Sequence, residues 1–288
     1  MQVPKKEVQM TSMIRAGLLV LTLCAAIVTI AKPSDAQNTD RLEAFLSATG
    51  FDVALESMKL TASSAPAMIG VEAENFGLQW TALVADIFDA QKMHDMAIDI
   101  LSQTLEDDLM IHAVDFYTSD LGARLLVVEN ASHMKDDDEL KAESGQAIVA
   151  GLVQIGSPRL EELKRLNDAV GSEDASIHAI QEVQVRFLMA AAAAGVIELR
   201  MDETDLRENL KRQEGEMRRN MKVNGLAASA YTYQSFSDDE ISAYAAALEH
   251  PKMQKVYALM NAVQFEIMAD RYEQMALAMS ELRPTQEL

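Results

Sequence analysis

A chain of 288 residues with 49% apolar side chains can bury a substantial core and is too apolar to be disordered. Six prolines and twelve glycines are few for this length, and Ala, Leu, Met and Glu are plentiful, so composition predicts an all-α fold without a sheet. The formal charge of −20 repels phosphate backbones and anionic headgroups, which argues against nucleic acid and membrane surfaces as partners.

The N-terminus reads as a targeting segment. Lys5, Lys6 and Arg15 precede an apolar run from Ala16 to Ala31, and Pro33 closes it. Ser34-Asp35-Ala36 then offers small residues where a signal peptidase reads, which predicts a cleavable signal peptide at 1–36 and a mature chain starting at Gln37. The alternative, an uncleaved anchor, needs about 20 apolar residues and this run is shorter. Residues 1–36 hold four bases and two acids, so taking their +2 from −20 leaves −22 on the exported chain. Cys24, the only cysteine, leaves with the signal, and Leu23 before it is too large for a lipoprotein signal. The expectation is a periplasmic or secreted protein with no disulfide, no thiol chemistry and no stable membrane insertion.

Beyond the signal, apolar residues recur at helical spacing, consistent with one all-helical domain over 37–288. Leu42, Phe45 and Leu46 line a first helix that Gly50 ends, Phe51 to Leu60 carries a second, and Thr61 to Gly70 reads as a loop. The pattern resumes from Val71 through Phe76, Trp80, Leu83 and Ile87. Asp89 then caps a helix containing Met93, Met96, Ile100 and Leu101. Asp107-Asp108, Asp136 to Asp138, Ser157-Pro158, Ser172, Asp202 and Ser237 mark later starts, the last as a capping box with Glu240. Phe187 to Val196 is apolar on nearly all sides and predicts a central helix.

At an offset of 131 the chain echoes itself. Leu105 falls on Phe236, Asp107-Asp108 on Asp238-Asp239, Arg124 on Lys255, Leu125 on Val256 and Asn130-Ala131 on Asn261-Ala262. This predicts a multi-helix bundle built from two similar helical hairpins at about 105–134 and 236–268, with sparse identities that a shared helical period could also produce.

The first hairpin carries Phe116-Tyr117-Thr118-Ser119-Asp120-Leu121-Gly122-Ala123-Arg124, which resembles the signature of an exported bacterial family, domain-of-unknown-function number twenty fifty-nine. Members end one helix in F-Y-x-S and restart with Gly and a basic residue. The second copy keeps the base as Lys255 and gains Pro251, but loses the aromatic pair and the Gly. The resemblance, to exported proteins of marine-type alphaproteobacteria, implies a periplasmic all-helical protein and brings no activity or catalytic residues. Read from the residues, Ser119 caps the restarting helix, Gly122 lets two helices approach, and Phe116 with Tyr117 fills the hairpin angle. Phe116, Tyr117, Ser119, Gly122 and Arg124 are therefore the candidate interaction residues.

Glu143-Ser144-Gly145 with Gly151-Leu152-Val153-Gln154-Ile155 is similar to pieces of lytic transglycosylases, which are exported helical enzymes with one glutamate as general acid and base. The gap between the pieces is too short for the loop that family needs, and the downstream Ala-Tyr-Asn is missing, so Glu143 reads as a solvent-facing helical residue. Met93-His94-Asp95-Met96 has soft-metal ligand types, yet most methionines fall on core-facing positions. His133 beside the acids at 136–139 reads as a solvated helix start. His112, His178 and His250 lack partners at zinc-type spacing. Arg218-Arg219 reads as an exposed face paired with Glu214 and Glu216.

No catalytic residue, metal ligand or cofactor follows from these patterns. The leading expectation is a non-catalytic interaction or structural protein acting on a protein partner or on itself. A carrier of an apolar small molecule or lipid, held near Trp80, Phe88 and Phe187 to Val196, is the second, and a cell-wall lyase the third. Exposed grooves would favour the first and an enclosed cavity the second.

Overall fold

The computed structural model describes residues 35–62, 65–70, 77–135 and 137–282, and every regular element among them is helical. The expected signal through Ser34, the stretch Val71 to Phe76, and Asp136 lie outside the described residues. In chain order the helices are α1 (Asp35–Thr49), α2 (Phe51–Ala62), α3 (Leu78–Ile87), α4 (Ala90–Thr104), α5 (Asp107–Tyr117) and α6 (Asp120–His133). They continue as α7 (Asp138–Gln154), α8 (Arg159–Ala169), α9 (Glu173–Ala193), α10 (Glu203–Thr232), α11 (Asp238–Leu248) and α12 (Pro251–Met279). The observed class is an all-α multi-helix bundle.

Local chemistry sets most of these boundaries. The Asp89 carboxylate accepts from the Lys92 N–H at 3.0 Å, satisfying a donor that the first turn of α4 leaves without a helical partner. Asp137, Ser172 and Asp202 cap α7, α9 and α10 in the same way. Ser237 and Glu240 close the full capping box of α11. Between α1 and α2 the chain turns at Gly50 with φ of +72°, where a Cβ would also fall 2.5 Å from side-chain atoms of Leu126 and Asn130 on α6.

Two expectations are corrected. Within the stretch Thr61 to Gly70, expected as a loop, α2 runs to Ala62 and a short 3-10 helix spans Ala65–Ile69. The apolar segment Phe187 to Val196 is not a helix surrounded on all sides. Phe187, Ala190 and Ala191 are buried, whereas Ala193 is exposed and the chain leaves the helix through Gly195 at φ +73°. The surrounded helix is α12, which packs against α2, α3, α4, α5, α9 and α11. Its buried residues, among them Val256, Val263, Ile267, Tyr272 and Met275, leave few faces for solvent. Each such side chain contributes about 1.5–3 kcal/mol on burial, so α12 is the element on which the core most depends.

Buried side chains from every helix but α7 join one core cluster, and Ile148, Val149 and Leu152 of α7 pack against it partly buried. The long α10 crosses α7 at Gly145, where a Cβ would come within 2.1 Å of the Ala227 carbonyl oxygen. The helix pairs α5–α6 and α11–α12 start and turn 131 residues apart, although α12 runs to Met279, well beyond Met268. Leu125 and Val256 are both fully buried.

Candidate functional site

Where α5 and α6 meet α11 and α12, a carboxyl is enclosed by phenols. Glu129 of α6 accepts from the hydroxyl of Tyr244 on α11 at 2.7 Å and from that of Tyr233, just after α10, at 2.8 Å, both on Oε1. The Tyr244 hydroxyl lies 3.2 Å from those of Tyr117 at the end of α5 and Tyr257 on α12, and the latter two bond each other. Four of the six tyrosines thus converge on one acid. Burial pushes the Glu129 carboxyl above the usual carboxylate range, with the Tyr244 and Tyr233 hydrogen bonds opposing the shift, and burial raises all four phenols as well. Every phenol therefore remains a neutral donor at ordinary pH, and the network acts as a polar key joining α5, α6, α11, α12 and the end of α10.

The candidate interaction residues sort around this key. Tyr117 belongs to it, and Phe116 stacks on Tyr244 with ring centroids 5.7 Å apart and planes 4° from parallel. The Ser119 hydroxyl accepts from Gly122 N at 3.1 Å as the cap of α6. A Cβ on Gly122 would stand 2.1 Å from the Phe116 carbonyl oxygen, so the hairpin corner closes only with glycine there. Arg124 reaches across to Glu240 of α11 at 2.7 Å, pairs with Asp120 at 3.3 Å and lies over the Phe236 ring.

Tyr257 also belongs to the lining of a cleft of about 530 Å³ bounded by α8, α9, α10 and α12. A neighbouring lobe of about 590 Å³ shares Asp168, Gly171, Ser176, Asn261 and Phe265 with it and continues along an alanine-lined wall of α9 and α12. Asn261 donates to the Val170 carbonyl at 3.0 Å, and the buried Ser229 hydroxyl donates to Asn167 Oδ1. Both asparagines line the 530 Å³ lobe, and none of Phe116, Tyr117, Ser119, Gly122 and Arg124 lines either lobe. Sequence patterns missed this site because its parts lie far apart along the chain. Asn261 was visible as the partner of Asn130 in the internal echo and Ser172 as a helix start, neither as part of a site.

The other sequence candidates do not converge. Glu143 is exposed on α7, and its neighbour Gly145 serves the α7–α10 crossing. Met93 is in the core while Asp95, two residues on, is exposed, so that cluster does not gather on one site. Trp80, Phe88 and Phe187 fill their own space, and the last two meet the Tyr272 ring edge-on at 5.5 and 5.9 Å. Arg218 pairs with Glu173 and Asp174 of α9, not with Glu214 and Glu216, because α10 packs against α9 there. His112 and His250, without partners by sequence spacing, stack with centroids 4.2 Å apart. Burial and the His250 charge hold His112 below the usual imidazole value. Among the described residues no group of three or more His, Cys, Asp and Glu could hold a metal ion, and no helix is long and apolar enough to cross a membrane.

Residues 91–150 match the family model described as "Uncharacterized protein conserved in bacteria (DUF2059)". The match runs from α4 into α7 and includes the F-Y-x-S signature, Gly122 and Glu129, while Tyr233, Tyr244, Tyr257 and the cleft lie outside it. Searches of curated proteins and of solved structures found no match to this chain.

Proposed function

We propose that this is an exported, non-catalytic binding protein, released by removal of residues 1–36, whose working face is the cleft between α8, α9, α10 and α12. The observation that carries the reading is the cleft itself: two adjoining lobes of about 590 and 530 Å³, open to solvent, with alanines and rings beside oriented amides. An open trough suits a segment of a partner chain laid across it. A carried lipid would need an enclosed cavity, and Phe88 and Phe187, expected to line one, pack edge-on against Tyr272 instead. The acidic surface suits a soluble life in the periplasm, and the unknown-function bacterial family matched by residues 91–150 is compatible with such a role.

The same reading takes α5–α6 and α11–α12 as a duplicated unit, supported by first helices of 11 residues each and by the common offset of 131. Met253 stands at the position of Gly122 and is buried, so the second corner closes around a side chain where the first closes on backbone.

Native mass spectrometry of the protein drawn from its own periplasm tests the binding role. The wild-type chain is expected to carry an additional mass that the Gly225→Leu variant, which fills the cleft from α10, does not. Equal retention by both would overturn the assignment of the cleft.

A further inference from the structure

The two asparagines of the cleft are held in opposite senses. Asn167 spends its carbonyl oxygen on the Ser229 hydroxyl, which is buried, and its NH2 lies 3.9 Å from the place a Cβ on Gly225 would occupy, where glycine leaves the space free. Asn261 spends its NH2 on the Val170 carbonyl and has its oxygen left over. Asn167, Asn261 and Gly225 line the same 530 Å³ lobe, so that lobe presents one amide donor and one amide acceptor whose roles the protein has already assigned. Around them stand the Tyr257 and Phe265 rings and the apolar Leu226 and Met221.

A donor and an acceptor in one lobe, with rings and apolar side chains in its wall beside charged ones such as Lys164 and Glu173, are complementary to a secondary amide. Such a group brings one carbonyl to accept and one N–H to donate, and leaving either unpaired in a cleft costs more than the bond is worth in water. Building on the cleft reading above, we propose that this lobe binds a secondary amide, whose carbonyl accepts from the Asn167 NH2 and whose N–H donates to Asn261 Oδ1. The amide's substituents lie on the Tyr257 and Phe265 rings. The shared chemistry occurs in a peptide backbone and in an N-acetylated sugar.

Nuclear magnetic resonance titrations of the mature chain separate these sources, with N-acetylalanine methylamide as the peptide arm and N-acetylglucosamine as the sugar arm. The expected result is that at least one probe shifts the Asn167 and Asn261 side-chain resonances and those of Gly171 and Gly225. An ester analogue lacking the N–H, and the Asn167→Asp variant, which keeps the Ser229 bond but replaces the donor with an acceptor, are each expected to bind roughly tenfold more weakly, the loss of about one hydrogen bond. Gly225→Leu, which leaves both asparagines in place, is expected to abolish the shifts. No response to either probe, or binding unaffected by the ester change and by Asn167→Asp, would overturn the amide assignment. If the wild-type chain still retained a native mass that Gly225→Leu loses, the binding reading would stand while the amide assignment fell.

Discussion

Glu129 is the residue on which the interior spends most polar chemistry, and its titration is readable. Its folded-state value is raised by burial, so the native state holds the proton more tightly than the unfolded chain. The stability linked to that proton is fully present below the usual carboxylate range and is lost as pH rises through the raised value. The acids Asp108, Glu182, Glu240 and Glu249 shift the other way through Lys252, Arg207, the Ser237 N–H and Arg165, and lose their contribution as pH falls. Glu129→Gln keeps the acceptor for Tyr233 and Tyr244 and removes the titration. Melting curves from pH 4.5 to 8 are expected to show wild type losing ground to this variant as pH rises, and parallel curves would contradict the burial argument. Gly122→Ala is expected to destabilise as well. The clash with the Phe116 carbonyl, on the order of 1–3 kcal/mol for overpacking, exceeds the gain in helix propensity of at most about 1 kcal/mol. Chemical denaturation would show it, and unchanged stability would mean the corner can open without loss.

Among the elements, the matched helices invite a paired test. Leu125 on α6 and Val256 on α12 are both fully buried. Leu125→Ala is expected to cost about 2–5 kcal/mol and Val256→Ala less, because fewer methyl groups are lost. A negligible cost at either would weaken the duplicated-unit reading. Arg159 does for the α10–α11 connection what no helix cap does. Its guanidinium donates to the carbonyls of Tyr233 and Phe236 at 2.6 and 2.8 Å and pairs with Asp238 at 2.7 Å. Arg159→Ala is expected to lower stability by about 1.5–3 kcal/mol in denaturant titrations, as charged hydrogen bonds to partly buried carbonyls are lost. Helix starts were legible in sequence because caps are local: Asp89, Ser172 and Ser237 each bond three residues ahead. Phe187 to Val196 misled because alanine is apolar enough to suggest burial yet small enough to tolerate exposure. The extent of α12 past Met268 was hidden because burial on several faces blurs a helical period.

At the scale of the molecule, class and corner chemistry were readable and the site was not. Gly122 and Ser119 announced a close hairpin because their roles depend on neighbours within six residues. The cleft depends on Asn167, Gly225 and Asn261, which only the packing of α8, α10 and α12 brings to one lobe. Export remains tied to the sequence pattern at 1–36, and N-terminal sequencing of the secreted form is expected to begin at Gln37, with an intact Met1 in the membrane fraction as the contrary result. The central claim, that the cleft is the working face, is met most directly by hydrogen exchange. The protein purified natively is compared with the same protein stripped by unfolding and refolding. Slower exchange in the native preparation, confined to the α8–α9 junction near 164–176, to α10 near 221–226 and to α12 near 254–265, is the expected result; identical exchange in the two preparations, or protection that falls elsewhere, would contradict it.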